Sequence, residues 1–176
     1  MPLPSTPAAG FDQPFELLSA CHGRVTRSLD LLDRLVDHVR RGGDVGQAVD
    51  AACDVLRYFD IAAPAHHEDE ERHVFPRLAA LGDAALLAVV ERLRADHRAF
   101  GDLWQSLRPL LEQIAERRFT AQQLDALGAA ARAFRDLHTG HLDAEDRLAF
   151  PAARVCTGAS DLAAMGAEMA RRRGVR

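Results

Sequence analysis

Residues 66–76 read HHEDEERHVFP, and residues 141–151 read HLDAEDRLAFP. The first stretch places His66 four residues before Glu70, and the second places His141 four residues before Glu145. Residues four apart lie on the same face of an α-helix, one turn from each other. Each stretch therefore predicts a helix that presents an imidazole and a carboxylate on one side, where both side chains can bind the same metal ion.

The two stretches belong to a repeat with an offset of 75 residues (141 − 66 and 145 − 70). The same offset pairs His22 with His97, each of which precedes its stretch by 44 residues (66 − 22 and 141 − 97). The chain therefore reads as two tandem units, each with a lone histidine and a His-x-x-x-Glu pair. Four histidines and two glutamates can hold two metal ions, and the predicted ligands are His22, His66, Glu70, His97, His141 and Glu145.

Apolar side chains surround both lone histidines with the same spacing. They fall at −4, +3, +7, +10 and +14 from each histidine, and the residues are Leu18, Val25, Leu29, Leu32 and Val36 in the first unit and Leu93, Phe100, Trp104, Leu107 and Leu111 in the second. This spacing is typical of the buried face of an amphipathic helix. Both histidines are therefore expected to face the core.

Helix boundaries complete the prediction of the fold. Gly42-Gly43 ends the first helix, Asp83 caps the third, and Thr120 with Gln123 forms a capping box for the fourth. Four long helices joined by short turns indicate an all-α, up-down-up-down four-helix bundle. A two-helix tandem repeat then relates the halves by pseudo-twofold symmetry, with the metal site on the axis.

The remaining segments are assigned from their composition. Residues 1–10 are expected to form a flexible N-terminal arm, residues 11–153 the bundle, and residues 154–176 a short fifth helix with a basic tail. Arg171-Arg172-Arg173 and the acidic pair Glu68-Asp69 are interpreted as solvated. Pro64 is expected to kink or split the second helix just before His66. That helix is predicted to end near Phe75, and the fourth at Phe150-Pro151.

Composition excludes several classes of function. The 176 residues carry a net charge of −4 with both signs interspersed, so there is no basic face for nucleic acid. No run of 18 apolar residues is present, which argues against a membrane span. The three cysteines, Cys21, Cys53 and Cys156, are odd in number and lack C-x-x-C spacing, which favours a reducing, cytoplasmic location.

The predicted donor set indicates a redox metal pair. Imidazole suits iron, zinc and copper, and carboxylate suits iron and manganese. Carboxylates can bridge two ions, so Glu70 and Glu145 are assigned as bridges. Six side chains cannot fill two octahedra, which leaves a bridging oxide or hydroxide and an open position for dioxygen, peroxide or nitric oxide. A structural zinc site would instead be closed.

The chain resembles the hemerythrin-like proteins of the HHE cation-binding type. The resemblance rests on His22, the two stretches and His97, and covers about residues 12–151. It implies a bundle around a non-heme di-iron centre with an oxygen bridge. Members bind dioxygen, sense oxygen or redox state, store iron, or act on peroxide or nitric oxide.

The sequence differs from the oxygen-carrying members, which have five histidines, one Glu and one Asp. Here Leu93 and Gly101 flank His97 at the four-residue spacings, and Glu145 replaces a more distant Asp. The chain is closer to the symmetric branch with four histidines and two glutamates. Fewer neutral imidazoles should favour the ferric state and so peroxide or redox chemistry. The alternative is a non-catalytic module for iron or zinc storage or for structure.

Four further residues stay open at this stage. His67 and Glu71 also have the four-residue spacing, but the repeat favours the His66/Glu70 pair because Glu71 matches Asp146 and His67 matches Leu142. Three others lie near the ligand face, where either a supporting contact or a plain partly exposed side chain fits: Tyr58, His73 and His138.

Overall fold

The computed structural model describes residues 10–175, which form five helices and contain no β-strand. The helices are α1, Pro14–Arg40; α2, residues 45–80; α3, Ala84–Ala115; α4, residues 121–155; and α5, Ala159–Arg172. The predicted all-α fold is confirmed. Of the predicted flexible arm, residues 1–10, only Gly10 lies within the described residues.

The four long helices close into a ring. α1 packs against α2 and α4, and α3 packs against the same two helices. The connections are short, residues 41–44, 81–83 and 116–120, so that consecutive helices run in opposite directions. The predicted up-down-up-down bundle with a short fifth helix is therefore confirmed.

Capping side chains fix the starts of three helices. The carboxylate of Asp44 accepts from the backbone N–H of Gln47 at 2.8 Å, and Asp83 caps α3 in the same way. Thr120 and Gln123 form the predicted reciprocal capping box at the start of α4. The caps satisfy backbone donors that the first helical turn leaves without partners.

The ligand-bearing helices α2 and α4 both widen at the predicted glutamates. α2 consists of Val45–Arg57, a π-helical turn Tyr58–Ala62, Ala63–Asp69, a second π-helical turn Glu70–Val74, and Phe75–Ala80. α4 consists of Ala121–Ala144, a π-helical turn Glu145–Ala149, and Phe150–Val155. Glu70 and Glu145 thus begin equivalent π-helical turns, a feature that often marks functional sites.

Two details of the prediction for these helices were wrong. The helices do not end at Phe75 and Pro151 but run on to Ala80 and Val155. The prolines follow directly after a π-helical turn, in the first turn of a new α-helical segment, where proline is tolerated because its N–H is not required. Pro64 also follows a π-helical turn, Tyr58–Ala62, so the α-helical hydrogen-bond pattern of α2 is interrupted just before His66, where the sequence predicts a kink or a split.

The core consists of two apolar clusters with the predicted site between them. One contains the rings of Phe59, Phe100 and Phe134, and the other contains those of Phe15, Phe75 and Phe150. His22 stacks on Phe150 at 5.1 Å, from the second cluster, and His141 contacts Phe100 at 5.0 Å, from the first. The polar site is therefore enclosed by aromatic rings on both sides.

The fifth helix is packed onto the bundle. Met165 and Met169 are buried in the cluster that contains Phe15 and Phe75. A Cβ atom at Gly166 would lie 1.7 Å from the carbonyl oxygen of Phe11, so only glycine permits this close approach. α5 therefore closes one end of the bundle.

The basic end of α5 is bound to a buried carboxylate, which corrects two expectations. Asp69 is 1% exposed, not solvated, and its Oδ2 accepts from Arg173 at 2.6 Å. Arg172 also contacts Asp69 and donates to Glu168 at 2.7 Å. Of the three terminal arginines, only Arg171 is exposed in the way that the sequence suggested.

The ion pairs predict a stability role for Arg172 and Arg173. Replacing both with Met leaves Asp69 buried and without a cation, which costs about 3 kcal/mol of unfolding free energy. The matched control Arg171→Met should change it by less than about 0.5 kcal/mol. Urea denaturation measures both values, and equal small effects would contradict the pairing.

Candidate metal centre

All six predicted ligands converge inside the bundle. α1 supplies His22, α2 supplies His66 and Glu70, α3 supplies His97, and α4 supplies His141 and Glu145. Both glutamates are 0% exposed, and His66 and His141 are nearly so. The side chains that the repeat singles out therefore meet at one buried place, between the two aromatic clusters.

Each glutamate lies between two imidazoles from different helices. Glu70 places Oε1 at 3.0 Å from Nε2 of His66 and Oε2 at 3.4 Å from Nε2 of His97. Glu145 places Oε1 at 3.2 Å from Nε2 of His141 and Oε2 at 3.1 Å from Nε2 of His22. The two oxygens of each carboxylate therefore face different histidines.

The ligand atoms fall into two overlapping groups in which all atoms lie within 4.8 Å of one another. One group is His22, His66, Glu70 and Glu145, and the other is His67, Glu70, His97 and His141. Glu70 belongs to both groups. Glu145 also reaches both, because its Oε1 lies beside His141.

The residues fit a pair of metal ions. The Nε2 atoms of His22, His66, His97 and His141 and all four glutamate oxygens are buried and make no hydrogen bond within the described residues. Buried polar atoms are normally satisfied, since leaving them without a partner costs free energy. Imidazole nitrogens and carboxylate oxygens that converge in this way are the donor set of a transition metal.

Outer carboxylates hold three of the imidazoles by their other nitrogen. Nδ1 of His22 lies 2.9 Å from Asp146, Nδ1 of His97 lies 3.1 Å from Glu71, and Nδ1 of His141 lies 3.3 Å from Asp96. A histidine that donates from Nδ1 turns Nε2 towards the centre and becomes a stronger ligand. Glu71 and Asp146 are themselves 75 residues apart, so the repeat contained a signal for these contacts.

The fourth imidazole, His66, breaks this pattern. Cys21 stands at the position equivalent to Asp96 (96 − 75). Within the described residues, Nδ1 of His66 is buried and donates to no carboxylate. The two halves of the centre therefore differ in the groups that orient their histidines.

His67, which the sequence left open, is a further ligand candidate in the structure. The structure brings together the favoured His66/Glu70 pair, while Glu71 contacts His97 and Arg94 instead of pairing with His67. His67 joins the second ligand group and stacks on His97 at 4.3 Å. The second group thus has three imidazoles and the first has two.

Comparison with known proteins identifies the family. The family model described as "Hemerythrin HHE cation binding domain" matches residues 13–168. The chain belongs to the hemerythrin HHE cation-binding domain family. It is also 30% identical over 168 residues to an uncharacterised protein of Haemophilus influenzae, an alignment that covers 96% of this chain and 94% of the relative.

The buried histidines and glutamates of the centre shift one another's pKa values. Burial alone would lower the pKa of His66, but the carboxylate of Glu70 outweighs burial and raises that pKa well above its usual value. Burial would likewise lower the pKa of His141, but the adjacent carboxylate of Glu145 outweighs burial and raises that pKa. Burial would raise the pKa of Glu145, but His141 and His22 lower it well below its usual value. These neighbouring histidines thus favour the ionised form of the buried Glu145 carboxylate.

His67 has the opposite electrostatic character. Burial lowers its pKa well below the usual value, and the positive charges of His97, His66 and His141 lower it further. The imidazole of His67 is therefore neutral at pH 7, which is the form that binds metal.

Three residues left open by the sequence are now placed. His73 lies away from the centre and pairs with Glu168 of α5 at 2.7 Å. Tyr58 lines a groove with Arg24 and Arg27 and makes no hydrogen bond to the centre among the described residues. His138 is buried beside the centre, and its Nδ1 lies 2.8 Å from the carbonyl oxygen of Phe134.

The outer carboxylates generate a prediction about metal affinity. Asp146→Asn leaves a neutral side chain beside Nδ1 of His22, so we expect metal affinity to fall about 10- to 100-fold. Competition with a chromogenic chelator measures the change. Asp143→Asn is the matched control, because Asp143 lies on the same helix and pairs with Arg147. Equal affinities of the two variants would contradict the proposed support of His22.

The burial of His138 predicts a pH dependence of stability. Burial lowers the pKa of His138 to about 4 from the ordinary 6.5. Between these values the unfolded chain binds a proton that the folded chain does not, so stability is lost as pH falls through this window. The loss attributable to His138 is about 2–3 kcal/mol.

His138→Phe should remove that loss. We expect the free energy of unfolding of the metal-free variant to change less between pH 7 and pH 4.5 than that of the metal-free wild type. The comparison between the two chains cancels the other titrating groups. Parallel pH profiles would show that His138 is not buried in the neutral form.

Proposed function

We propose that this chain is a non-heme di-iron protein whose metal pair binds, senses or reacts with dioxygen, peroxide or nitric oxide. One observation carries the proposal. The two carboxylate oxygens of Glu70 face His66 and His97, and those of Glu145 face His141 and His22, so that each glutamate is placed to join two ions. An oxide or hydroxide would be the third bridge.

The assignment of iron rests on the donor set. Five imidazoles and two carboxylates combine the ligands that iron shares with zinc, copper and manganese. Within the described residues no cysteine belongs to either ligand group. When bound, an iron pair would supply redox chemistry at this centre. Zinc and manganese suit the same donors and are the alternative occupants.

The protein side chains would hold and shield this pair. His22 and His66 serve one ion, and His67, His97 and His141 serve the other. Asp146, Glu71 and Asp96 keep the Nδ1 protons of three imidazoles in place. The aromatic clusters exclude bulk water, which strengthens the electrostatic interactions inside.

A second candidate is a non-catalytic metal-binding module for iron or zinc storage or for structure. The donor set supports it, because imidazole and carboxylate also bind zinc. The two candidates differ in turnover. Only an enzyme consumes peroxide or nitric oxide in excess of its own metal.

Location and partners are part of the same proposal. Cys21, Cys53 and Cys156 are all free thiols, which supports a reducing, cytoplasmic compartment. Among the described residues, no helix is long and apolar enough to cross a membrane. The proposed partners are small: a diatomic ligand or peroxide, with no nucleic acid.

Metal analysis tests the proposal. Protein from iron-sufficient cells should contain about two irons per chain and show absorption bands of an oxygen-bridged ferric pair. His66→Ala removes one ligand of the first group, so we expect the iron content to fall by at least half and the bands to disappear.

His38→Ala is the matched control for that variant. The ring of His38 contacts the backbone oxygen of Asp44 at the far end of α1, outside both ligand groups. Its metal content and spectrum should match those of the wild type. Zinc alone, or less than one metal per chain, would reject the redox function. Stoichiometric iron without peroxide or nitric oxide turnover would favour storage.

A further inference from the structure

An apolar cavity of about 370 Å³ lies beside the second ligand group. Its walls carry four aromatic side chains, Phe59, Phe100, Trp104 and Phe134, and the rings of His67 and His97 also line it. Exposed residues, among them Gly101 and Glu68, lie at its edge. A molecule in this cavity would therefore touch two imidazoles of the second group and reach solvent on its other side.

The size of the cavity exceeds what a diatomic gas or hydrogen peroxide requires. Small-molecule sites in proteins typically enclose about 300–1,000 Å³, and about 150 Å³ is enough to hold benzene. At about 370 Å³ the cavity falls in the range for organic molecules. Its aromatic walls favour an apolar body over a polar one.

Most polar groups around the cavity already have partners. The indole N–H of Trp104 donates to Asp60 at 2.9 Å, and Glu68 pairs with Arg72 at 2.6 Å. Glu71 contacts His97 and Arg94. The indole N–H of Trp104 and both carboxylates therefore already have partners before a ligand binds.

His138 supplies one acceptor. Its Nδ1 donates to the carbonyl oxygen of Phe134, and burial keeps the ring neutral by lowering its pKa to about 4. In a neutral imidazole that donates from Nδ1, Nε2 carries a lone pair and accepts a hydrogen bond. A ligand that carries one O–H group could donate a hydrogen bond to this nitrogen.

The cavity belongs to one half of the pseudosymmetric bundle. The positions equivalent to Phe100 and Trp104 are occupied by Val25 and Leu29, which are both buried. The position equivalent to His138 is Ala63 (138 − 75). The equivalent surface between α1 and α4 thus lacks both the tryptophan and the acceptor.

We propose that this cavity binds an organic molecule with an apolar body and a single hydroxyl or hydroperoxyl group, which donates to Nε2 of His138. The inference rests on the proposed function and narrows it. A centre that acts on peroxides would select organic hydroperoxides over hydrogen peroxide, because only the former fill the cavity.

Trp104 is the only tryptophan in the chain, so its fluorescence reports on the cavity directly. The probe is 2-phenylpropan-2-ol, with its hydrocarbon isopropylbenzene for comparison, titrated into the metal-loaded protein. We expect a saturable change in emission with both. The alcohol should bind about three- to tenfold more tightly, which corresponds to one net hydrogen bond.

Three variants locate the binding. A Cβ atom at Gly101 would meet no other atom within 4 Å, so Gly101→Leu adds a side chain at the edge of the cavity without a backbone clash. Its affinity for the alcohol should fall at least tenfold. Ala88→Leu, at an exposed position of the same helix, is the control and should bind as the wild type does. His138→Phe keeps a ring but loses the acceptor, so its preference for the alcohol should disappear.

Three results would contradict binding of the alcohol in this cavity or the role of His138. Absence of saturable binding in the wild type, or equal binding by Gly101→Leu, overturns the cavity as the site. An unchanged preference for the alcohol in His138→Phe overturns the role of His138. A third arm replaces the alcohol with 2-phenylpropan-2-yl hydroperoxide, which should compete for the same site, and failure to compete overturns the hydroperoxide class.

The metal content of every sample separates this inference from the proposed function. A protein that binds the alcohol but holds no iron pair would reject the function and keep the cavity. A protein with two irons that does not bind the alcohol would reject the cavity alone.

Discussion

Two carboxylates buried in an apolar bundle impose the main constraint on this structure. Glu70 and Glu145 are 0% exposed, and an unpaired charge in such surroundings costs several kcal/mol. Imidazoles on all four bundle helices face them, with Nε2 atoms about 3 Å away. The order of the helices, the apolar stripes that turn His22 and His97 inward, and the π-helical turns at both glutamates all serve this arrangement.

The repeat builds a symmetric centre, and α2 makes it asymmetric. His67 adds a third imidazole to one ligand group, and Asp69 binds the basic end of α5. The equivalent positions in α4 are Leu142 and Ala144, which can do neither. The cavity beside His67 extends the same asymmetry to the surface. In the proposed centre, one ligand group therefore has two imidazoles, while the other has three imidazoles and a neighbouring cavity that a ligand could enter.

The sequence predicted the bundle and the convergence of six side chains, because helical periodicity and a 75-residue repeat constrain both. It did not select His67 as a ligand, because the repeat pairs His67 with Leu142, which cannot bind a metal ion. A repeat identifies only the residues that the two halves share, and His67 belongs to one half alone. It also misplaced Asp69, whose partners Arg172 and Arg173 lie over 100 residues away, so no local pattern distinguished it from a solvated carboxylate.

The most direct test of the bridged pair is an anomalous difference map from crystals of the iron-loaded protein, recorded at the iron absorption edge. We expect two peaks, one beside His22 and His66 and one beside His67, His97 and His141. Both peaks should lie within coordination distance of Glu70 and Glu145. A single peak, or two peaks that share neither glutamate, would contradict it.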